Sequence, residues 1–161
     1  MKVRDIMTRD PQCCGPDTNL AAAAGLMWSN DCGALPVTEN GKLAGIITDR
    51  DICIALGTRN ALAAETLVRD VASLDVQTCA TDDDIHSAMA AMRGAKIHRL
   101  PVVTGDGKLE GIITLNDLTL AAHCKFGDVN YEEVMNTVRA LSEHRSQLAL
   151  EPARIGVAAT A

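Results

Sequence analysis

Gly45-Ile46-Ile47-Thr48-Asp49-Arg50-Asp51 and Gly111-Ile112-Ile113-Thr114-Leu115-Asn116-Asp117 both read Gly-x-x-Thr-x-x-Asp. In each, a short β-branched run ends at a Thr, and an Asp follows three residues later. This is how a strand passes into a helix whose first turn is capped. Two such junctions in one chain predict two copies of one strand-to-helix unit.

The copies extend outward from these junctions. A shift of 65 residues superimposes Val3-Arg4-Asp5-Ile6 on Val68-Arg69-Asp70-Val71, Asp17 on Asp82, and Leu35-Pro36-Val37 on Leu100-Pro101-Val102. One inserted residue within Thr104-Gly105-Asp106-Gly107, a turn tip where insertions are tolerated, raises the shift to 66. Leu20, Ala23, Ala24 and Met27 correspond to Ile85, Ala88, Met89 and Met92, the i, i+3, i+4, i+7 stripe of an amphipathic helix. Asp17 and Thr18, and Thr81 and Asp82, are the expected N-caps.

Two β-rich runs follow, Ala34 to Thr38 and Leu43 to Thr48, split by Asn40-Gly41. The second copy has Arg99 to Thr104 and Leu109 to Thr114 around Asp106-Gly107. Asn-Gly and Asp-Gly predict hairpins. Each copy therefore reads strand, helix, strand, strand, helix. The expected fold class is α/β (α+β), with two pseudo-symmetric β-α-β-β-α repeats. A half of about 60 residues buries its sheet poorly alone, so the halves are expected to pack sheet to sheet, with clefts between them as ligand sites. The expected boundaries are residues 1–60 and 61–124 for the repeats, 125–150 for a C-terminal helix and 151–161 for a flexible tail. Asn130 would cap that helix, with Val134, Val138, Leu141 and Leu148 on its apolar side and Glu132, Glu133 and Arg139 on its polar face.

Composition sets limits on function. The 161 residues are 47% apolar and 22% charged, which is ordinary for a globular chain. A net charge of −6 and only 2% aromatics leave neither a basic surface nor stacking platforms for nucleic acid. Charges in Met1 to Asp5 do not suit a signal peptide, and the longest apolar run, Leu20 to Trp28, is too short for a bilayer, so a cytoplasmic protein is expected with no membrane partner. The six cysteines, at 13, 14, 32, 53, 79 and 124, form no CxxC pair and sit in core-like segments, which predicts free buried thiols and no metal site. No nucleophile with a base stands at a recognisable spacing, and His86, His123 and His144 are scattered, so no enzyme is expected.

The Thr-x-x-Asp pairs have two readings. Thr48, Asp51, Thr114 and Asp117 could hold ribose and phosphate oxygens at a helix entrance, or simply cap the helix. The whole pattern over residues 3 to 124, with Val-Arg-Asp, an amphipathic helix, Leu-Pro-Val, Gly-Ile-Ile-Thr and an Asp-opened helix in each copy, resembles paired CBS repeats, a Bateman module.

That resemblance implies a regulatory module that binds AMP, ADP, ATP or S-adenosylmethionine between the repeats and needs no cofactor, with Asp51 and Asp117 holding ribose. His98-Arg99 is similar to a phosphate-contacting His-Arg pair in some relatives, which implies a first site combining Thr48 and Asp51 with His98 and Arg99. Gly33 and Ala34 occupy those positions in the first copy, which implies that the second site, on Thr114 and Asp117, lacks the basic pair. Ile46, Val76 and Ile97 would wall the first site, and Ile112, Cys32 and Cys13 the second. Arg69 would reach phosphate at the first. A homodimer, in which the modules pack into a disk, and a separate regulated protein are also implied. The alternatives are a ligand-free dimerisation scaffold and a redox or metal sensor acting through cysteines, Cys13-Cys14 above all.

Overall fold

A computed structural model describes residues 1–123 and 128–143. After a 3-10 turn at Val3–Asp5 come β1 (Thr8–Arg9), α1 (Leu20–Ser29), β2 (Ala34–Glu39), β3 (Lys42–Thr48) and α2 (Asp49–Arg59). A second 3-10 turn at Val68–Asp70 leads to α3 (Ile85–Ala95), β4 (Arg99–Val103), β5 (Leu109–Thr114), α4 (Leu115–Ala121) and α5 (Tyr131–Ser142). This is the mixed helix-and-sheet fold expected from the repeat, with a C-terminal helix added.

Both hairpins form where the sequence places them. Asn40 and Gly41 take positive φ, 52° and 77°, as a two-residue hairpin turn requires. β2 pairs antiparallel with β3, and β4 with β5, each with one register shift at matching places, Val37/Thr38 and Val102/Val103. The tips of the two hairpins touch, with Leu43 N donating to the Gly107 carbonyl and Leu109 N to that of Gly41.

The packing units are not the sequence repeats. Val3 and Met7 are buried with Ile85, Met89, Leu100 and Ile113 in the core of the second half. Val68 joins Leu20, Leu35 and Ile47 in the core of the first. β1 pairs with β5, Thr8 opposite Ile112, while Ser73 bridges Ile46 in β3. Each repeat thus lends its opening segment to the other half. The glycines of the two quoted motifs permit this crossing. A Cβ on Gly45 would stand 2.9 Å from the Ser73 carbonyl oxygen, and one on Gly111 would stand 2.8 Å from that of Thr8.

The expected caps are corrected: each helix is capped further along the chain, by Asn19 and by Asp84. Asn19 accepts from Ala22 N at 2.8 Å and Asp84 from His86 N at 2.9 Å. Asp17 and Asp82 instead form ion pairs across the repeats, with Arg69 and Arg4, and Thr18 accepts from Gly15 N. Ala24, expected in the core stripe, is exposed, whereas Leu20, Ala23 and Met27 are buried.

Asn130 caps α5 as expected, accepting from Glu133 N at 2.8 Å, with Val134 and Leu141 buried. Glu133 leaves the polar face, however, and bonds His86 Nδ1 at 2.8 Å. Cys124, His144, Leu148 and the tail at 151–161 lie outside the described residues.

Candidate functional site

Both Thr-x-x-Asp motifs fold into capping boxes of nearly equal geometry. The Asp51 Oδ2 accepts from Thr48 N at 3.0 Å and from Thr48 Oγ1 at 2.7 Å, and Asp51 N donates back to Thr48 Oγ1 at 3.2 Å. The matching distances at Thr114 and Asp117 are 2.7, 2.7 and 3.3 Å. The hydroxyl proton of each Thr is therefore committed to its Asp. The free Oδ1 of each half-buried carboxylate remains able to accept a further hydrogen bond.

A cleft of about 600 Å³ opens beside the second motif. Thr114, Ile112 and Asn116 form one wall, Cys32, Gly33 and Ala34 face them from the first half, and the crossing segment supplies Asp10, Pro11 and Gln12. Asp117 stands one hydrogen bond behind Thr114.

His98 and Arg99 also line this cleft, which corrects the expectation that the second site lacks the basic pair. Arg99 is the residue opposite Thr114 in the β4–β5 ladder, and its Nη1 donates to the Gly33 carbonyl at 3.0 Å. The guanidinium is thereby held between the two repeats.

Other expected site residues are distributed differently. Val76 lines a separate hollow of about 220 Å³ with Gly45, Leu74 and Thr78. Ile46 is half-buried and exchanges backbone bonds with Ser73, and Ile97 packs on the core of the second half. Arg69 is exposed and paired with Asp17. Cys13 does not line the Thr114 cleft. Its Sγ bonds the carbonyl of Pro11, the residue that does.

Asp10, Pro11, Gln12 and Asn116 were missed as lining residues. A signal was present: Asp10-Pro11-Gln12-Cys13-Cys14 and Asp75-Val76-Gln77-Thr78-Cys79 share Asp-x-Gln-x-Cys at the repeat spacing.

Cys13, Cys14 and Cys79 are set against ionisation, whereas Cys53 is exposed, which corrects the expectation that the thiols are buried. Burial pushes the Cys14 thiol up to about 11 and Cys79 up to about 12, and raises Cys13 as well. A protonated thiol is a poor nucleophile and metal ligand. Among the described residues no group of three or more His, Cys, Asp or Glu side chains could hold a metal ion. Alkylation of native protein at pH 8 is expected to modify exposed Cys53 well before Cys14 or Cys79, as read by peptide mass spectrometry. Equal rates would show that the two thiols are not protected. The same burial fixes a pH dependence. The unfolded thiols ionise near their ordinary value of 9.0 while the folded ones stay protonated, so stability falls as pH rises from about 9 toward 12.

The profile of the CBS domain matches residues 3–58 and 68–123 of the chain. The chain belongs to the CBS-domain family. It is 34% identical over 118 residues to the CBS domain-containing protein YhcV of Bacillus subtilis, covering 73% of this chain and 83% of that one. It is 36% identical over 112 residues to the inosine-5'-monophosphate dehydrogenase of Mycobacterium leprae, covering 69% of this chain but only 20% of that enzyme.

Solved CBS structures match in fold as well. The CBS domain pair of protein MJ0100, in complex with 5'-methylthioadenosine and S-adenosyl-L-methionine, aligns with a TM-score of 0.68 at 26% identity, over 74% of this chain and 94% of that one. CBSX2 in complex with AMP aligns with a TM-score of 0.66 at 25% identity, over 74% and 94%. CBS pairs of this kind are regulatory ligand-binding domains. Among the described residues, no helix of this CBS protein is long and apolar enough to cross a membrane.

Proposed function

We propose that this CBS pair is a cytoplasmic, non-enzymatic regulatory module that senses an adenine nucleotide or adenosyl ligand, AMP, ADP, ATP or S-adenosylmethionine, in the cleft beside Thr114. The cleft itself carries the reading. It joins residues of both repeats and lies within the size range of small-molecule sites, with Arg99 and His98 on its lining beside two carboxylates, Asp10 and Asp31. Ile112 and Pro11 offer apolar surface to a purine, Thr114 Oγ1 and Asp117 Oδ1 offer acceptors to ribose hydroxyls, and Arg99 with His98 offers donors to phosphate or carboxylate.

The adenosyl ligands of MJ0100 and CBSX2 support the same class. Thr48 and Asp51 repeat the chemistry of Thr114 and Asp117 and form the second candidate site. The module is proposed to act on a separate protein and to do so as a homodimer. The capping boxes favour one other reading, a ligand-free scaffold, because they account for both Thr-x-x-Asp pairs without a ligand.

Isothermal titration with AMP, ADP, ATP and S-adenosylmethionine separates the two. At least one ligand is expected to bind at micromolar concentration. Arg99→Ala and Asp117→Asn are expected to weaken it roughly tenfold or more, the loss of one charge-assisted contact each, while Asp51→Asn reports on the first site. Asn at this third position keeps an oxygen that can accept from the N-cap backbone, and the N-cap Thr is unchanged, so the helix is retained. Folded protein that binds none of the four would replace the sensor with the scaffold.

A further inference from the structure

We propose that the cleft beside Thr114 selects an adenosyl ligand with a positive centre on its 5′ arm, a sulfonium joined to an amino acid, over adenine nucleotides. Asp10 and Asp31 are the specificity-determining carboxylates. This selection rests on the sensing role above and narrows it to one charge class.

Asp10 reaches the cleft on the crossing segment and Asp31 on the turn that follows α1. Both residues are exposed. Among the described residues, neither carboxylate meets a hydrogen-bond donor or a cation within bonding distance. Arg99, the one guanidinium on the lining, does not neutralise them, because its Nη1 is turned to the Gly33 carbonyl at 3.0 Å. Asp49 lies behind the same wall, where a Cβ on Gly33 would stand 3.0 Å from its Oδ2. Three carboxylates against Arg99 and His98 leave the cleft acidic in either state of the histidine. A ligand that displaces water from this lining must offset the excess negative charge.

Asp31 stands where local rules disfavour an acid. It follows the C-cap Asn30 with a φ of 48°, a left-handed conformation that few side chains adopt. It also sits at the negative end of the α1 dipole, where an acid is repelled and a cation is favoured. The second repeat shows the favoured solution. Lys96 occupies the matching position 65 residues on, with a φ of 55°, and Ile97 N bonds the Met92 carbonyl as Cys32 N bonds that of Met27. The two turns are alike in backbone and opposite in charge. A charge that breaks a local rule is expected where function uses it. The helix end reinforces that charge, because residues 30–33 line the cleft and bring the last-turn carbonyls of α1 close to it.

Beyond its ribose, an adenine nucleotide offers such a lining only anionic oxygens. A sulfonium with an amino-acid arm offers both signs. Its sulfonium and ammonium suit the carboxylates, and its own carboxylate suits the planar fork of Arg99. Selection then comes from repulsion of the wrong ligand as much as from attraction of the right one.

Isothermal titration of the full chain with S-adenosylmethionine, S-adenosylhomocysteine, AMP and ATP, in EDTA and again with magnesium, tests the selection. S-adenosylmethionine is expected to bind roughly tenfold or more tightly than AMP or ATP in both buffers. It is also expected to outbind S-adenosylhomocysteine, which lacks only the sulfonium methyl and its charge. Asp10→Asn and Asp31→Asn keep side-chain size, and Asn tolerates positive φ. Each is expected to narrow the preference for S-adenosylmethionine over ATP by roughly tenfold. Glu132→Gln, the same change of charge on α5 and outside the cleft, is expected to leave that preference unaltered. The selection would be overturned, with sensing left standing, by AMP or ATP binding more tightly than S-adenosylmethionine in either buffer, or by equal affinity for the two sulfur ligands. A preference indifferent to both Asn variants, or moved as far by Glu132→Gln, would overturn it too. Folded protein that binds none of these ligands would overturn selection and sensing together.

Discussion

A chain that begins at Pro11 is expected to lose the ordered second half of the module while keeping the first. Residues 1–10 look like the opening of the first repeat, but their side chains belong to the other core: Val3 is fully buried there and Met7 is 7% exposed. Burial of two such side chains contributes roughly 3–6 kcal/mol, against a whole-domain stability of about 5–15 kcal/mol. The backbone is stitched in as well. Val3 N donates to the Asp83 carbonyl, Arg4 N to that of Thr81, and β1 pairs with β5.

The first half draws on Val68, Val71 and Ala72 for its corresponding contacts and loses none of them. Native-state hydrogen exchange is the direct measurement. Protection should collapse across α3, β4 and β5 and persist across β2 and β3. Uniform loss, or protection unchanged in β5, would mean that the opening segment does not complete the second core.

This exchange of segments was not legible in the sequence, for a physical reason. Val3-Arg4-Asp5 and Val68-Arg69-Asp70 are near copies, so either could pack on either half without changing any hydrophobic period. What the period does specify came through. The hairpins at Asn40-Gly41 and Asp106-Gly107, the stripe of α3 and the cap of α5 at Asn130 all depend on local rules. The caps of α1 and α3 were misplaced because Asp17, Thr18 and Asn19 are all competent caps. The choice falls to Asn19 because Leu20 N is tied to the Thr66 carbonyl, a contact distant in sequence.

The candidate site was readable to the same extent. Thr48, Asp51, Thr114 and Asp117 can be named as candidates, and their capping boxes foreseen, because their spacing is a local signature. Assigning His98 and Arg99 to one cleft required knowing how the halves face each other, and Arg99 bonds Gly33 of the opposite repeat. Asp10, Pro11 and Gln12 lie in a segment with no regular period, where only comparison between the repeats would have flagged them.

The crossing also fixes the sign of a second large effect. Gly111→Ala is expected to destabilise the protein by about 1–3 kcal/mol, the usual cost of overpacking a filled site, and Gly111→Val by more. The new Cβ would lie 2.8 Å from both Met7 Sδ and the Thr8 carbonyl oxygen. The thioether can rotate away. The Thr8 carbonyl cannot, because Thr8 is paired with Ile112 in the β1–β5 ladder, so the strand itself must shift.

Gly94→Ala is the matched control. Gly94 lies inside α3 with nothing within 4 Å of an added Cβ, so the substitution is expected to stabilise by roughly 0.5–1 kcal/mol through helix propensity. Urea denaturation followed by circular dichroism reads both. Opposite signs at the two glycines are expected. A neutral Gly111→Ala would mean that β1 is loosely held on β5, and it would weaken the argument that residues 1–10 complete the second core.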